Sequence, residues 1–287
     1  MEIINSIHST RDLVKKWKKE GQSIGFVPTM GYLHDGHISL IERSVKENDK
    51  TIVSIFVNPT QFSPTEDFNS YPRDFDADRK LCEKAGADLI FVPTSEEMYP
   101  AQSATFIDMD KVSKELCGKS RPTHFKGVLT VVNMLFNITL PDRAYFGQKD
   151  AQQLAVIKRM AADLCLGVEI IGCPIVRESD GLAKSSRNVY LSPEERKAAL
   201  VLNKALSEGL KLIQAGERDA KALLKFLHNI VKSEPLAKID YIEIVNSETI
   251  EKADVLQGSI LVAMAVFFGS TRLIDNFIYH VEAGQIL

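Results

Sequence analysis

Short apolar runs alternate along the chain with segments in which apolar residues recur every three or four positions. Runs of this length predict buried strands, and the longer repeat predicts amphipathic helices. The predicted strands cover residues 24–28, 51–57, 88–93, 143–147 and 168–172. The helices predicted between them cover residues 37–48, 74–87, 128–140 and 151–164. Continuous apolar strands that alternate with helices favour a parallel sheet covered on both faces, so we predict a doubly wound α/β domain.

The pattern changes near residue 174, where a polar segment over residues 176–188 follows. Ser192, Pro193 and Glu195 then supply an N-cap serine, a proline at the first helical position and a capping-box glutamate. The elements predicted from there on are a helix to about residue 216, a helix over 219–232 and strands over 239–245 and 260–269. We therefore expect a Rossmann-like domain over residues 1–175 and a smaller α+β domain over residues 176–287.

Composition and charge narrow the possible classes of protein. The 287 residues are 45% hydrophobic and 25% charged, as in ordinary folded proteins. A net charge of -3 gives no basic field for a nucleic-acid backbone, so we expect no nucleic-acid partner. No segment is apolar over the length of a signal core or a membrane span, and we expect a cytoplasmic protein without a membrane partner. Four widely spaced cysteines without a CxxC pair are expected to be reduced, buried thiols.

The stretch PTMGYLHDGHISLI, residues 28–41, follows the first predicted strand. Gly31 and Gly36 allow the backbone to approach a ligand closely, and His34 and His37 can lie on one side of the incoming helix. Ligands of open α/β sheets bind beyond the carboxyl ends of the strands, so this pattern indicates a phosphate site. The alternative is that the histidines are ordinary capping or surface residues.

A second candidate segment is GLAKSSRN, residues 181–188. As a mobile loop, it could wrap the outer phosphates of a nucleotide with Lys184, Ser185, Ser186 and Arg187. The alternative is a solvated linker, which also tends to be rich in serine and basic residues. Together with the histidine turn, the segment favours nucleotidylyl transfer, in which an acceptor attacks the α-phosphate of a nucleotide.

Two further segments follow predicted strands. In FGQKD, residues 146–150, Lys149 can contact phosphate and Asp150 can accept from ribose hydroxyls, although helix capping would also explain Asp150. In FVNPTQF, residues 56–62, Asn58 and Gln61 offer neutral amides to a small polar substrate, although an ordinary turn would also contain Asn and Pro.

These segments, with YPRDF and RPTHFKGV between them, occur in an order that resembles the pantothenate synthetase family, the AMP-forming pantoate:β-alanine ligases of the nucleotidylyltransferase superfamily. The resemblance covers nearly the whole chain. It implies that His37 is the catalytic proton donor with His34 beside it, that Gln61 and Gln153 bind pantoate, and that Gln61 also meets β-alanine. The residues that match the family's ATP-binding positions are Met30, Gly31, Tyr32, Leu33, His34, Asp35, Gly36, His37, Gly147, Gln148, Lys149, Asp150, Val176, Lys184, Ser185, Ser186 and Arg187.

The resemblance further implies that Arg121 and His124 line the same cleft and that the C-terminal domain closes over the active site. It implies ATP and Mg²⁺ as the nucleotide substrate and its ion, and a homodimer. No carboxylate cluster suggests a protein metal site, so Mg²⁺ is expected to be held by phosphates and water. The implied reaction converts pantoate to pantoyl adenylate, from which β-alanine displaces AMP.

Two positions depart from the family pattern. Lys184 stands where the family often has Met or Leu, and Gln148 stands where it often has Glu. Lys184 is therefore expected to assist ATP binding without being indispensable. Another nucleotidylyltransferase with a different acceptor, and a non-catalytic nucleotide-binding module, stay open as alternatives. An aminoacyl-tRNA synthetase fits less well because the chain lacks a basic tRNA-binding appendage.

Overall fold

A computed structural model describes residues 1–64 and 66–286 of the chain. The chain forms two compact units. The first unit comprises Met1–Met109, Arg121–Gln148 and Val156–Pro174. The second unit comprises Asp110–Ser120, Lys149–Ala155 and Ile175–Leu287. The two short segments that precede residue 175 in the second unit have no signature in the sequence pattern.

The elements up to residue 173 alternate between strands and helices. The strands are β1 Glu2–Ile4, β2 Ile24–Thr29, β3 Lys50–Ile55, β4 Leu89–Phe91, β5 Arg143–Gly147 and β6 Glu169–Cys173. The α-helices are α1 Ile7–Lys19, α2 Asp35–Glu47, α3 Phe75–Ala85, α4 Ser95–Met98, α5 Cys117–Ser120, α6 His124–Thr139 and α7 Ala151–Asp163. Two short 3₁₀ helices cover Pro59–Gln61 and Gln148–Asp150.

The six strands of the first unit form one sheet in the order β1-β4-β3-β2-β5-β6, and every neighbouring pair is parallel. The predicted doubly wound parallel sheet is confirmed. From β2 the chain proceeds through β3 and β4 towards one edge, while β5 and β6 extend the sheet towards the other. The order therefore reverses between β2 and β5, which pair at Gly25 with Arg143 and at Phe26 with Ala144. Ligands of such sheets bind beyond the carboxyl ends of the strands at this switch point.

Burial explains why these segments form the sheet. Val27, Val53, Ile90 and Tyr145 are fully buried in one core cluster with Ile41 of α2. Helix α6 is apolar over most of its surface because most of its residues are buried. It begins at His124, one turn before the predicted residue 128, because the polar residues of that first turn hide its helical pattern.

The elements after residue 173 build the second unit. They are the 3₁₀ helix Ser186–Tyr190, α8 Pro193–Ala198, α9 Leu200–Gln214, α10 Ala220–Lys232, β7 Ala237–Asn246, β8 Ser259–Phe268, β9 Thr271–His280 and β10 Gln285–Ile286. The strands form an antiparallel sheet in the order β10-β9-β8-β7. Its apolar residues share a core with the helices, including Leu206, Leu223, Val262 and Met264. The predicted α+β character of this part of the chain is confirmed.

The capping box predicted at Ser192 is present: the Ser192 hydroxyl accepts from the Glu195 N–H at 3.2 Å, and the Glu195 carboxylate accepts from the Ser192 N–H at 2.9 Å. The single helix predicted to reach residue 216 is wrong. Helix α8 ends before Ala199 and α9 begins after it, since the chain tightens there into a turn in which the Leu202 N–H donates to the Ala199 carbonyl.

Several elements escaped the sequence pattern. Strand β1, helix α1 and strands β9 and β10 were not predicted. Strand β9 alternates apolar residues with Arg272, Asp275 and Asn276, so it lacks the continuous apolar run that marked β8. The expectation that all four cysteines are buried is wrong for Cys165, which is exposed, while Cys82, Cys117 and Cys173 are buried. In the described part of the chain, no helix has the length and apolar character to cross a membrane.

Candidate functional site

The predicted histidine turn lies directly beyond the carboxyl end of β2, at the switch point. Gly147 and Gln148 follow the adjacent strand β5 at the same edge of the sheet. Gly147 has open space where a Cβ would stand, so nothing in the described residues blocks an approach to its backbone. The first unit thus brings the two predicted nucleotide-binding segments to neighbouring strand ends.

Both histidines cap helix α2. His34 is the N-cap residue, and its Nδ1 accepts from the Gly36 N–H at 3.1 Å. The His34 N–H in turn donates to Nδ1 of His37 at 3.3 Å. The two rings lie close together, with centroids 4.1 Å apart. The alternative that these residues are capping residues is therefore correct as local structure.

The caps also determine the chemistry of the two imidazoles. Because each Nδ1 accepts a backbone proton, a neutral ring must carry its own proton on Nε2. Nε2 is then the nitrogen that can donate to an anion. Capping and anion binding use opposite sides of the ring, so the structural role does not compete with the predicted functional one.

The turn before the helix has an unusual backbone. Gly31 and Tyr32 both have positive φ, +81° and +50°. A Cβ at Gly31 would lie 2.9 Å from Oδ2 of Asp78 and 3.0 Å from a methyl carbon of Ile55, so position 31 lacks room for a side chain. Asp78 was not among the predicted site residues, because it belongs to α3 and reads in the sequence as a polar position of that helix. The N–H groups of Tyr32 and Leu33 donate to its carboxylate, which means that they are not available for phosphate.

Gln61 lies at the end of the 3₁₀ helix that follows β3, and its side chain is largely buried. Its Nε2 donates to Sδ of Met30 at 3.1 Å, and its Oε1 accepts from Nδ2 of Asn58 at 3.2 Å. The structure therefore brings Gln61 beside the first residue of the predicted ATP-binding turn. It also gives the amide an orientation, with its N–H₂ group on the side of Met30.

Asn58 has a structural role rather than the ligand-binding role predicted from the sequence. It is 1% exposed, and its Oδ1 accepts from the hydroxyls of Tyr99 at 2.8 Å and Thr60 at 3.0 Å. Its Nδ2 also donates to the Gly127 carbonyl at 3.2 Å. With both ends of the amide engaged, Asn58 holds Gln61 in place. Burial raises the pKa of Tyr99, so its phenol stays protonated and acts as a donor.

Arg121 and His124 reach the backbone of Gln61. Nδ1 of His124 lies 3.0 Å from the Gln61 carbonyl oxygen, and Arg121 donates to the same oxygen at 3.4 Å. Arg121 also forms a two-pronged ion pair with Glu66, in which Nη2 and Oε2 are 3.1 Å apart. Burial alone would raise the pKa of Glu66, but hydrogen bonds from Arg121 and from the Ser63 N–H outweigh it and lower the pKa.

The first unit also contains a cleft of about 320 Å³ at the carboxyl ends of β2, β3 and β4. Met30 and Gly31 line it together with apolar side chains such as Phe56 and Phe68. A small organic molecule fits a space of this size and character.

Lys149, Asp150 and Gln153 belong to the second unit. Lys149 Nζ lies 3.5 Å from Oδ2 of Asp150, and the Lys149 carbonyl accepts from Nδ2 of Asn276 at 2.8 Å. Asn276 is 4% exposed and was not predicted, since it lies on the strand that the sequence pattern missed. It fixes the backbone of the lysine whose side chain is a predicted phosphate ligand.

The two neighbouring glutamines of α7 have different surroundings. Gln152 is buried; its Nε2 donates to the carbonyls of Val112 at 3.0 Å and Glu115 at 2.6 Å, and its Oε1 accepts from the Cys117 N–H at 2.9 Å. Gln153, the predicted pantoate ligand, is only half-buried. The structure thus commits Gln152 to the fold.

The predicted phosphate loop is an ordered segment of the second unit. The Lys184 N–H donates to the Val176 carbonyl at 2.9 Å, and Ser185 caps the short helix Ser186–Tyr190 by accepting from the Arg187 N–H at 3.2 Å. Ser185 and Lys149 line one small cavity of about 10 Å³. The structure therefore brings four of the predicted residues of this unit, at positions 149, 176, 184 and 185, into two local groups.

Glu178 stabilises the start of this loop. Its carboxylate accepts from Nδ2 of Asn188 at 3.0 Å and from Arg196 at 2.8 Å. Burial would raise the pKa of Glu178, but these hydrogen bonds outweigh it and lower the pKa. Asn188 also donates to the Ala183 carbonyl at 3.1 Å, which closes the loop on itself.

A parallel sheet with a histidine turn at its switch point, and a loop of Lys, Ser and Arg further along, defines a nucleotide-binding α/β enzyme of the nucleotidylyltransferase kind. The sequence profile of the family described as pantoate-β-alanine ligase matches residues 2–278. The chain belongs to this family and is a ligase.

Individual relatives agree with this assignment. A pantothenate synthetase of Clostridium botulinum (strain Loch Maree / Type A3) is 56% identical over 279 residues, which cover 97% of this chain and 99% of the relative. The crystal structure of pantothenate synthetase from Thermus thermophilus is 44% identical with a TM-score of 0.92, covering 96% of this chain and 98% of that one. The pantoate-β-alanine ligase of Francisella tularensis, crystallised with β-γ ATP and β-alanine, is 37% identical with a TM-score of 0.82 and 97% coverage of both chains.

Proposed function

We propose that the protein condenses pantoate with β-alanine to form pantothenate, and that ATP drives the reaction through a pantoyl adenylate. The observation that carries this proposal is the pair of Nε2-protonated histidines at the switch point of a chain that belongs to the ligase family. The complex of the Francisella relative with β-γ ATP and β-alanine supports the same substrates.

The proposed first step activates the carboxylate of pantoate. A carboxylate oxygen attacks the α-phosphorus of ATP, the bond from that phosphorus to the bridging oxygen breaks, and pyrophosphate leaves. Negative charge increases on the phosphoryl oxygens during this step, and an N–H donor fixed at that position stabilises the charge. We assign this role to Nε2–H of His37, with His34 beside it on the phosphates. Because the helix cap fixes both rings, they need little reorganisation.

The proposed second step forms the amide. The amine nitrogen of β-alanine attacks the acyl carbon of the adenylate, the acyl–oxygen bond breaks, AMP leaves, and the amine loses a proton. We propose that Gln61 and Gln153 hold pantoate and that Gln61 also meets β-alanine. Asn58 occupies Oε1 of Gln61, which supports a role for this glutamine as a donor to the anionic or hydroxyl oxygens of the substrate.

The remaining proposed ATP ligands contribute contacts to the base, ribose or phosphates. In the first unit they are Met30, Gly31, Tyr32, Leu33, Asp35, Gly36, Gly147 and Gln148. In the second unit they are Lys149, Asp150, Val176, Lys184, Ser185, Ser186 and Arg187. Since the N–H groups of Tyr32 and Leu33 bind Asp78, their proposed contacts use other atoms.

Mg²⁺ is proposed to enter as part of the substrate Mg-ATP. Within residues 1–64 and 66–286, no group of three or more His, Cys, Asp and Glu side chains is arranged to hold a metal ion. This arrangement suits an ion bound by phosphate oxygens and water. The ion would neutralise part of the phosphate charge. We further propose, from the family resemblance, that the protein is a cytoplasmic homodimer.

The test is ATP-pyrophosphate exchange with Mg²⁺ and pantoate present and β-alanine absent. The proposal predicts that labelled pyrophosphate enters ATP only when pantoate is added, and that later addition of β-alanine yields AMP and pantothenate in equal amounts. A control without pantoate measures exchange with other acceptors. Absence of exchange in a protein that demonstrably binds ATP would favour another acceptor or a non-catalytic nucleotide-binding module.

A further inference from the structure

A buried carboxylate lies beneath the histidine turn of the first unit. Asp78 of α3 is 2% exposed. Its Oδ2 accepts from the Tyr32 N–H at 2.8 Å, and its Oδ1 accepts from the Leu33 N–H at 2.7 Å. Each carboxylate oxygen therefore takes one of two consecutive backbone protons, and the side chain holds the turn at two points.

The turn requires such support. A positive φ is easily adopted by Gly31, but it is strained for Tyr32 because of its Cβ. Strained backbone persists only where its surroundings determine it, and two hydrogen bonds to one charged acceptor supply that determination. Leu33 is itself buried, so its N–H needs a partner within the protein.

The carboxylate has little room to move. A Cβ on Gly31 would lie only 2.9 Å from Oδ2 of Asp78, so the oxygen packs directly against the backbone of the turn. Burial raises the pKa of Asp78, and the N–H groups of Leu33 and Tyr32 oppose that rise. The nearby carboxylate of Asp74 adds to the rise. The two backbone donors are therefore the groups that favour the charged form of Asp78.

The hydrogen bonds connect to the histidines in one step. Leu33 immediately precedes His34, whose own N–H donates to Nδ1 of His37 and whose ring accepts from Gly36. A shift of the backbone at Leu33 would displace the His34 N–H and break the contact that orients the His37 ring. A change of about 1 Å in a catalytic group can lower a rate by about two orders of magnitude.

We propose that Asp78 is a positioning residue that sets the direction of the His34 and His37 rings. It touches neither nucleotide nor substrate in this role. Its effect on turnover rests on the proposed function, whereas its effect on the two rings does not.

The test compares Asp78→Asn with Asp74→Ala. Asparagine keeps the shape of the side chain but offers one acceptor where two are needed, and its N–H₂ group opposes the second backbone N–H. Asp74 caps the same helix by accepting from the Ala77 N–H at 3.0 Å, so its alanine variant perturbs α3 without removing a bond to the turn. Thermal unfolding of both variants measures any general loss of stability.

Two readouts separate positioning from stability. In ¹⁵N-histidine NMR, wild type and Asp74→Ala should show Nδ1 unprotonated in His34 and His37, whereas Asp78→Asn should alter the signals of both rings. In pantoate-dependent ATP-pyrophosphate exchange, Asp78→Asn should lower kcat about tenfold or more while the KM for pantoate changes less than about twofold. Asp74→Ala should retain near wild-type kcat.

Unchanged ring signals in a folded Asp78→Asn protein would overturn the proposal, as would an equal loss of kcat in Asp74→Ala. A wild-type protein without pantoate-dependent exchange would instead contradict the proposed function. In that case the ring signals would still decide the role of Asp78.

Discussion

The phenol hydroxyl of Tyr99 donates a hydrogen bond to Oδ1 of Asn58 over 2.8 Å. Since Asn58 must then present its Nδ2 to Oε1 of Gln61, one hydroxyl fixes the orientation of two successive amides. The N–H₂ group of Gln61 is thereby directed away from Asn58. A residue with no place in the predicted site thus determines which end of a proposed substrate ligand faces the substrate.

Tyr99→Phe removes this hydroxyl without changing the ring. Thr60 still donates to Oδ1 of Asn58, so we expect the amides to lose part of their order rather than to flip completely. The KM for pantoate should rise about three- to tenfold with little change in kcat, because the contact acts on binding. Steady-state kinetics check this, with Tyr190→Phe on the exposed surface as a control. A fall in kcat at unchanged KM would contradict the proposed relay.

His37→Ala should lower kcat of pantoate-dependent exchange by about two to three orders of magnitude, because it removes a donor from the developing phosphoryl charge. It should also cost about 1 kcal/mol of stability, because the His34 N–H loses its partner. His8→Ala is the matched control, since His8 lies on α1 with its side chain 89% exposed. If His37→Ala weakened β-alanine binding alone and left adenylate formation intact, the role assigned to His37 would be wrong.

Lys184→Met converts this position to a residue common in the family. We expect near-normal turnover and a KM for ATP raised a few-fold, because one charge is lost from a loop that keeps Arg187 and its two serines. Kinetics at varied ATP measure this, with Lys197→Met at an exposed site of α8 as the control. Complete inactivity of the variant would show that Lys184 is indispensable.

Gln152→Ala and Gln153→Ala should fail in different ways. Gln152 serves three backbone groups, so its removal should cost about 2–4 kcal/mol of stability. Gln153→Ala should keep its melting temperature within a few degrees and raise the KM for pantoate about tenfold. Denaturant unfolding and pantoate titrations separate the two outcomes. The reverse pattern would mean that the two glutamines have exchanged roles.

The ion pair of Glu66 with Arg121 should make stability depend on acid pH. The pKa of Glu66 is lowered in the folded state, so its stabilisation is present above the unfolded value of about 4.3 and is lost as the pH falls through the folded value. Between about pH 6 and pH 3, the wild type should lose about 1 kcal/mol more stability than Glu66→Gln. Urea unfolding across this range, with Glu194→Gln as a charge-matched control, provides the measurement. Parallel pH curves for wild type and Glu66→Gln would count against the ion pair.

Much of the fold follows from local pattern. The strands at residues 24–28 and 143–147 were predicted because buried parallel strands need continuous apolar residues, and the capping box at Ser192 because its two side chains satisfy each other within one turn. Strand β9 escaped because Asp275 and Asn276 are buried on it, and only their tertiary partners make polar residues acceptable there. Arg177 supplies that partner for Asp275, with contacts of 2.7 and 2.9 Å.

The candidate site divides in the same way. The sequence by itself determined the parallel sheet, the turn with His34 and His37 at a strand end, and the family, because periodicity and motif spacing are properties of neighbouring residues. Only the tertiary structure decided that Asp78, 46 residues beyond Tyr32, holds that turn, and that Asn58 supports the proposed substrate ligand Gln61 instead of being one. Hydrogen bonds between distant segments depend on how the elements pack, and a linear pattern carries no record of those distances.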